Sequence, residues 1–79
     1  DIIPRIQEIK ADAVEDLNLR IAKIFKNTPM EPEDREKLKG AVDIAAGKVV
    51  NKLIFGLRDS LNQEAFLDCV KGLEKLYES

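Results

Sequence analysis

Leu38-Lys39-Gly40-Ala41-Val42-Asp43-Ile44-Ala45-Ala46-Gly47-Lys48-Val49-Val50-Asn51-Lys52-Leu53-Ile54-Phe55, residues 38–55, is the stretch on which the fold turns. At about 100° per residue, Leu38, Ala41, Val42, Ala45, Ala46, Val49, Val50, Leu53 and Ile54 cover about 220° of a helix, and Ile44 and Phe55 widen that arc further. A helix apolar over so much of its circumference has to be buried over most of it. Within this stretch Gly40 and Gly47 stand seven residues apart on one face. Each costs roughly 1 kcal/mol of helix stability relative to Ala, a cost that close approach of a neighbouring helix would offset.

Upstream, Ile2, Ile6, Ile9, Ala13, Leu17, Ile21 and Ile24 fall on one side of a helix, widened by Ile3, Val14 and Phe25. This pattern predicts a long first helix over residues 4–26, with Pro4 in its first turn and Asn27-Thr28-Pro29 as the stop. Leu19 is the one apolar residue on its polar side. The second helix is predicted over 32–55, because Pro32 suits a first helical position and Glu33 and Asp34 complement the positive end of the helix dipole. Gly56 is read as its left-handed terminator, with Leu57 making the contact that follows such a cap. Ser60, with Gln63 three residues on, reads as the capping box of a third helix over 61–77, whose core stripe is Phe66, Cys69, Val70, Leu73, Leu76 and Tyr77.

Downstream and upstream signals together predict an all-α, three-helix unit in one domain. At 79 residues the chain has room for one small core. With 44% hydrophobic and 35% charged residues it has the composition of a folding amphipathic helical protein. Two other helices cover half to two-thirds of the second helix, so the remainder is expected to meet another protein surface, and the unit is expected to pair into a dimeric helical bundle. The residues expected at that interface are Ala46, Gly47, Val50, Leu53 and Ile54, with Leu19. Val50 and Ile54, about 60 to 100° beyond the centre of the apolar arc, are expected to face the partner, while Leu38, Val42 and Val49 fill the chain's own core.

Composition also excludes chemistry. There is no His, which removes the commonest general base and metal ligand. No glycine-rich phosphate loop, paired-cysteine metal signature or nucleophile elbow is present. No catalytic, cofactor or metal site is therefore expected in this chain by itself. The acidic runs Asp12, Glu15, Asp16 and Glu33, Asp34, Glu36 read as solvated helix faces, with Asp16–Arg20 and Glu33–Lys37 spaced as helical ion pairs. The 13 basic residues are interspersed among 15 acidic ones, giving a net charge of −2, so direct binding of nucleic acid is not expected. The single Cys69 cannot form an internal disulfide and points to a reducing, cytoplasmic setting; its place on the third helix's core stripe makes it a packed thiol rather than a nucleophile. No membrane span or signal peptide is visible. The opening at Asp1 without Met, inside a helix pattern, is read as a piece of a longer chain.

Two resemblances bear on function. Asp59-Ser60-Leu61 resembles the Asp-Ser-Leu of acyl and peptidyl carrier proteins, which implies a phosphopantetheine arm on Ser60. The carrier serine, however, follows a long loop near mid-domain, whereas Ser60 follows a helix and leaves 19 residues after it. More extensively, Val49-Val50-Asn51-Lys52-Leu53-Ile54, preceded by Glu33-Asp34-Arg35-Glu36 and an alanine-rich turn, resembles the C-terminal dimerisation domain of glutamyl-tRNA reductase. There an acidic Pro-Glu-Glu-Arg helix start leads to Val-Asn-Lys-Leu-Leu. Ile2-Ile3-Pro4-Arg5-Ile6 is similar to that family's Val-Val-Pro-Thr-Ile, and Gly72-Leu73-Glu74-Lys75-Leu76-Tyr77 to its last helix. The family continues with His and Pro where this chain has Phe55-Gly56-Leu57, and often has a capping Ser at the position of Glu31. The resemblance implies a homodimerising piece of an enzyme that reduces glutamyl-tRNA with NADPH to glutamate-1-semialdehyde, the entry to tetrapyrrole (porphyrin, 5-aminolevulinate) synthesis. The nucleophilic cysteine and the NADPH site would lie in other domains, and Cys69 does not match that nucleophile. Helix one resembles the far end of the family's spinal helix, so the piece would join two V-arranged arms. Asn51, Lys52 and Leu53 carry most of the likeness, Asn51 and Lys52 reading as an interhelical hydrogen bond and a surface charge rather than a tRNA contact.

Overall fold

Asp1 begins the fold by accepting, through Oδ1, a hydrogen bond of 3.2 Å from the Ile3 amide, and α1 (Ile3–Ile24) follows with Pro4 in its first turn. There proline loses no hydrogen bond, because the first amides of a helix have no intrahelical partner. The structure, a computed structural model, describes residues 1–78. α1 ends two residues before the predicted end at Lys26. The chain turns at Phe25, whose amide bonds to the Ile21 carbonyl at 3.0 Å, and Thr28 bonds back to Phe25 at 3.1 Å. Arg35 then reaches across the turn, and its Nη2 donates to the Thr28 carbonyl at 2.8 Å. A side chain of the next helix thus satisfies a carbonyl of the connecting turn.

α2 (Pro32–Ser60) is 29 residues long, with Glu33 and Asp34 in its first turn. At 1.5 Å per residue it spans about 43 Å, most of the 48 Å long dimension of the molecule. The end predicted at Phe55-Gly56 is not observed. α2 runs through Gly56, which has no positive φ, and stops at Leu61, which is extended. Continuing one more turn packs Leu57 against the core and sets the Arg58 guanidinium 4.8 Å from the centre of the Phe55 ring. Those gains outweigh the cost of roughly 1 kcal/mol of one helical glycine.

α3 (Gln63–Leu76) is capped by Asn62, whose Oδ1 accepts from the Ala65 amide at 2.8 Å. Ser60 is therefore the last residue of α2, and the Ser60–Gln63 capping box is replaced by the Asn62 cap. Asn caps as well as Ser, so the choice fell to the residue that leaves α2 its extra turn. On α3, Phe66 and Val70 are buried, Leu73 packs against them and Cys69 is half-buried. Leu76, expected in the core, is exposed because it sits about 100° round the helix from the Phe66–Val70 line.

The chain is thus all-α, with three helices and no strand among the described residues. α1 and α2 pack antiparallel. Ile6, Lys10, Val14 and Asn18 on α1, and Val42, Ala46, Val50 and Ile54 on α2, are all buried or half-buried at a spacing of four. This is the ridge spacing of helices that cross and diverge on either side of their contact. Two contacts fix the register: the Asn18 amide donates to Asp43, and Lys10 lies over Gly47, where an added Cβ would stand 3.2 Å from its Cε. α3 closes the end where Ile6, Ile9 and Ile54 meet Phe66 and Val70, with Ile2, Val50, Leu57 and Leu73 around them. Arg5 fastens it there through Nε and Nη2, which donate to Glu74 at 2.9 and 2.6 Å.

Candidate functional site

The core occupies one end of the hairpin, and the side chains beyond it form the candidate site. Three residues on from the α1 contact ridge lies the row Ile9, Ala13 and Leu17, which Ile24 continues. Along it exposure rises from 4% at Ile9 to 39% at Leu17 and 71% at Ile24. Three residues on from the α2 ridge lies the row Ala45, Val49, Leu53 and Leu57. Leu57 is packed against the core, but Leu53 is 56% and Val49 67% exposed, and Ala45 is exposed as well. In antiparallel helices, rows displaced in the same rotational sense from the contact lie on the same side. Both rows therefore belong to one face, covered by α3 at one end and bare along the rest.

A face of this kind is a candidate association surface. Isolated surface leucines are normal, but several large apolar side chains in register on two adjacent helices mark a place where water is meant to be excluded. At the splayed end of the hairpin an open groove of about 880 Å³ runs between Val14, Ile21 and Phe25 of α1 and Leu38 of α2, beside the Asn18–Asp43 contact. Among the described residues no three His, Cys, Asp or Glu side chains come together as a metal site would require, and no helix is long and apolar enough to cross a membrane.

The residues expected at an interface separate into two groups. Ile54, Ala46, Gly47 and Val50 are turned inward: Ile54 is 1% exposed, Ala46 and Gly47 are buried, and Val50 packs on the core. Val49, expected to fill the chain's own core, is on the outer face instead, while Leu38 and Val42 are half-buried. The orientation of α2 is thus opposite to that expected for Val49, Val50 and Ile54. Its apolar arc is nearly continuous, so the arc itself does not select the inner flank; the polar and small residues do. Asp43 and Gly47 lie on the Val50–Ile54 side, and facing α1 with that side lets Asp43 meet Asn18 and lets the Lys10 stem lie over Gly47. Gly40, by contrast, has nothing within 4 Å of where a Cβ would stand.

Leu53 and Leu19 are exposed, Leu53 within the uncovered face and Leu19 at the groove beside Val14 and Ile21. Asn51 is half-buried and Lys52 exposed, and neither side chain makes a hydrogen bond or ion pair among the described residues. Asp16–Arg20 and Glu33–Lys37 form ion pairs at 3.0 and 3.5 Å. Sequence patterns alone did not disclose the Arg5–Glu74 pair, which joins residues 69 apart in the chain. Hydrogen bonding to Arg5 holds the Glu74 carboxyl below its ordinary range and raises Arg5 further.

No family model matches the chain, and no curated protein or solved structure is significantly similar to it.

Proposed function

We propose that this chain is a homodimerisation module, the C-terminal domain of a glutamyl-tRNA reductase working in the cytoplasm. The observation that carries the self-association reading is the loss of cover along the two apolar rows away from α3, ending at Val49, Leu53, Leu17 and Ile24. A domain whose fully buried side chains lie at one end of a 48 Å molecule gains most by covering the rest with a second copy. The likeness of Val49–Ile54 and of Ile2–Ile6 to that reductase family supports the choice of parent. In this reading the parent binds NADPH and glutamyl-tRNA through other domains. The module itself transfers no hydride and attracts tRNA only weakly and in a salt-sensitive way.

Sedimentation equilibrium with circular dichroism tests the reading. The wild-type chain should be a dimer at tens of micromolar, and Val49→Asp should dissociate it, because two-fold symmetry sets two carboxylates in one apolar seam. A well-folded wild-type monomer at that concentration defeats self-association. The choice of parent is tested separately by the coding sequence upstream of Asp1, where a nucleophilic-cysteine domain followed by a dinucleotide-binding fold is expected.

A further inference from the structure

We infer that the second copy seats its α2 antiparallel across the α2 of the first, with the two-fold axis near Ala45; this rests on the self-association reading above and adds the direction of pairing. Ala41, Ala45, Val49 and Leu53 form an exposed row at a spacing of four, lying beside the inward row Val42, Ala46, Val50 and Ile54. The same spacing packs α2 on α1, so the outer row offers a second helix the surface that the inner row offers α1. Ala41 and Ala45, the first two residues of that row, let two backbones come close.

Charge decides the direction. From Glu31 to Asp43, five acidic residues (Glu31, Glu33, Asp34, Glu36 and Asp43) stand against Arg35, Lys37 and Lys39, and Arg35 is turned back onto the α1 turn. From Ile44 to Arg58 there is no acidic residue, while Lys48, Lys52 and Arg58 are all exposed. Asp34 and Lys52 are five helical turns apart and so lie along the same edge of the outer row. A parallel pair would set acidic start beside acidic start, basic half beside basic half, and the two helix dipoles in the same sense. An antiparallel pair sets each acidic start against the partner's basic half and opposes the dipoles. Across the width of a helix such charges are within about one Debye length at ordinary ionic strength, so the difference is felt.

Distances between spin labels read the direction. Glu33→Cys and Lys48→Cys are prepared separately in a Cys69→Ala background, labelled, and measured as dimers by double electron–electron resonance. Residue 33 lies about 18 Å along α2 from Ala45, so the antiparallel pair separates the two Glu33 sites by more than about 30 Å and the parallel pair by less than about 20 Å. The Lys48 sites, beside the axis, should lie within about 20 Å of one another. A long Glu33 distance with a short Lys48 distance supports the inference. Short distances at both sites overturn it in favour of parallel pairing, and a long Lys48 distance overturns it by placing the dimer contact elsewhere; in both cases self-association stands. Absence of a dimer in sedimentation removes the self-association reading and this one together.

Discussion

Glu74 and Arg5 show how one residue pair can hold an element in place, and their chemistry gives that hold a pH dependence. The carboxylate accepts two hydrogen bonds from the guanidinium, so its charged form is favoured and its proton affinity falls on folding. A group whose folded pKa is depressed adds stability above its unfolded value, and that contribution disappears as the pH falls through the folded value. The melting temperature of the wild type should exceed that of Glu74→Gln by a constant margin from neutral pH down to the ordinary glutamate range near about 4.3. Below it the margin should shrink toward zero, as thermal melts followed by circular dichroism would show; a margin independent of pH in acid would mean that the pair holds nothing. The glycines make a second contrast. A Cβ at Gly40 meets nothing, so Gly40→Ala should stabilise by about 0.5–1 kcal/mol through helix propensity. At Gly47 the new methyl group pushes on the flexible end of Lys10, and the gain should be smaller. Urea unfolding at one fixed protein concentration separates the two.

At the scale of the element, α2 marks where the sequence could be read and where it could not. The three helices, the Pro32 start and the excess of apolar surface on α2 were legible, because periodicity and first-turn chemistry are local. Which flank of α2 faces α1 was not, since nine apolar residues spread round the helix leave the choice to pairwise fits such as Asp43 with Asn18. The end of α2 was missed for a similar reason. Gly56 has the chemistry of a terminator, and only the tertiary contact of Leu57 with the core shows that it is not used as one. The flank assignment predicts an inversion between neighbours. Ile54→Ala should cost about 2–5 kcal/mol, the cost of emptying a filled core position, since Ile54 is fully enclosed by its own chain. Val49→Ala should leave the unfolding free energy of the isolated protomer within about 0.5 kcal/mol and act on the dimer alone. Denaturation run at two protein concentrations distinguishes them, and a large concentration-independent cost at Val49 would return α2 to the opposite orientation.

The whole molecule is unevenly built, and its dynamics should follow. Beyond the contacts of Ala46 and Gly47, no side chain of the splayed end, from Val14 to Phe25 and from Leu38 to Val42, is fully buried. Ile6, Ile9, Ile54, Phe66 and Val70 hold the other end as one cluster. Segments with few buried apolar contacts open at low free energy and exchange their amides early, while cluster-bearing segments open only with global unfolding. In a protomer held monomeric by Val49→Asp, amide exchange should therefore be fast across the C-terminal half of α1 and the N-terminal half of α2. It should be slow around Ile6, Ile54 and Val70. In the wild-type dimer the partner covers Ala41 to Leu53 and the crossing helices brace one another, so protection should rise most in the N-terminal half of α2 and change least around the cluster. Hydrogen exchange read by mass spectrometry on peptides from each half gives the comparison directly. Uniform protection along both helices of the monomeric variant would show that the splayed end is stable without cover, and the driving force assigned to the bare face would then have to be sought elsewhere.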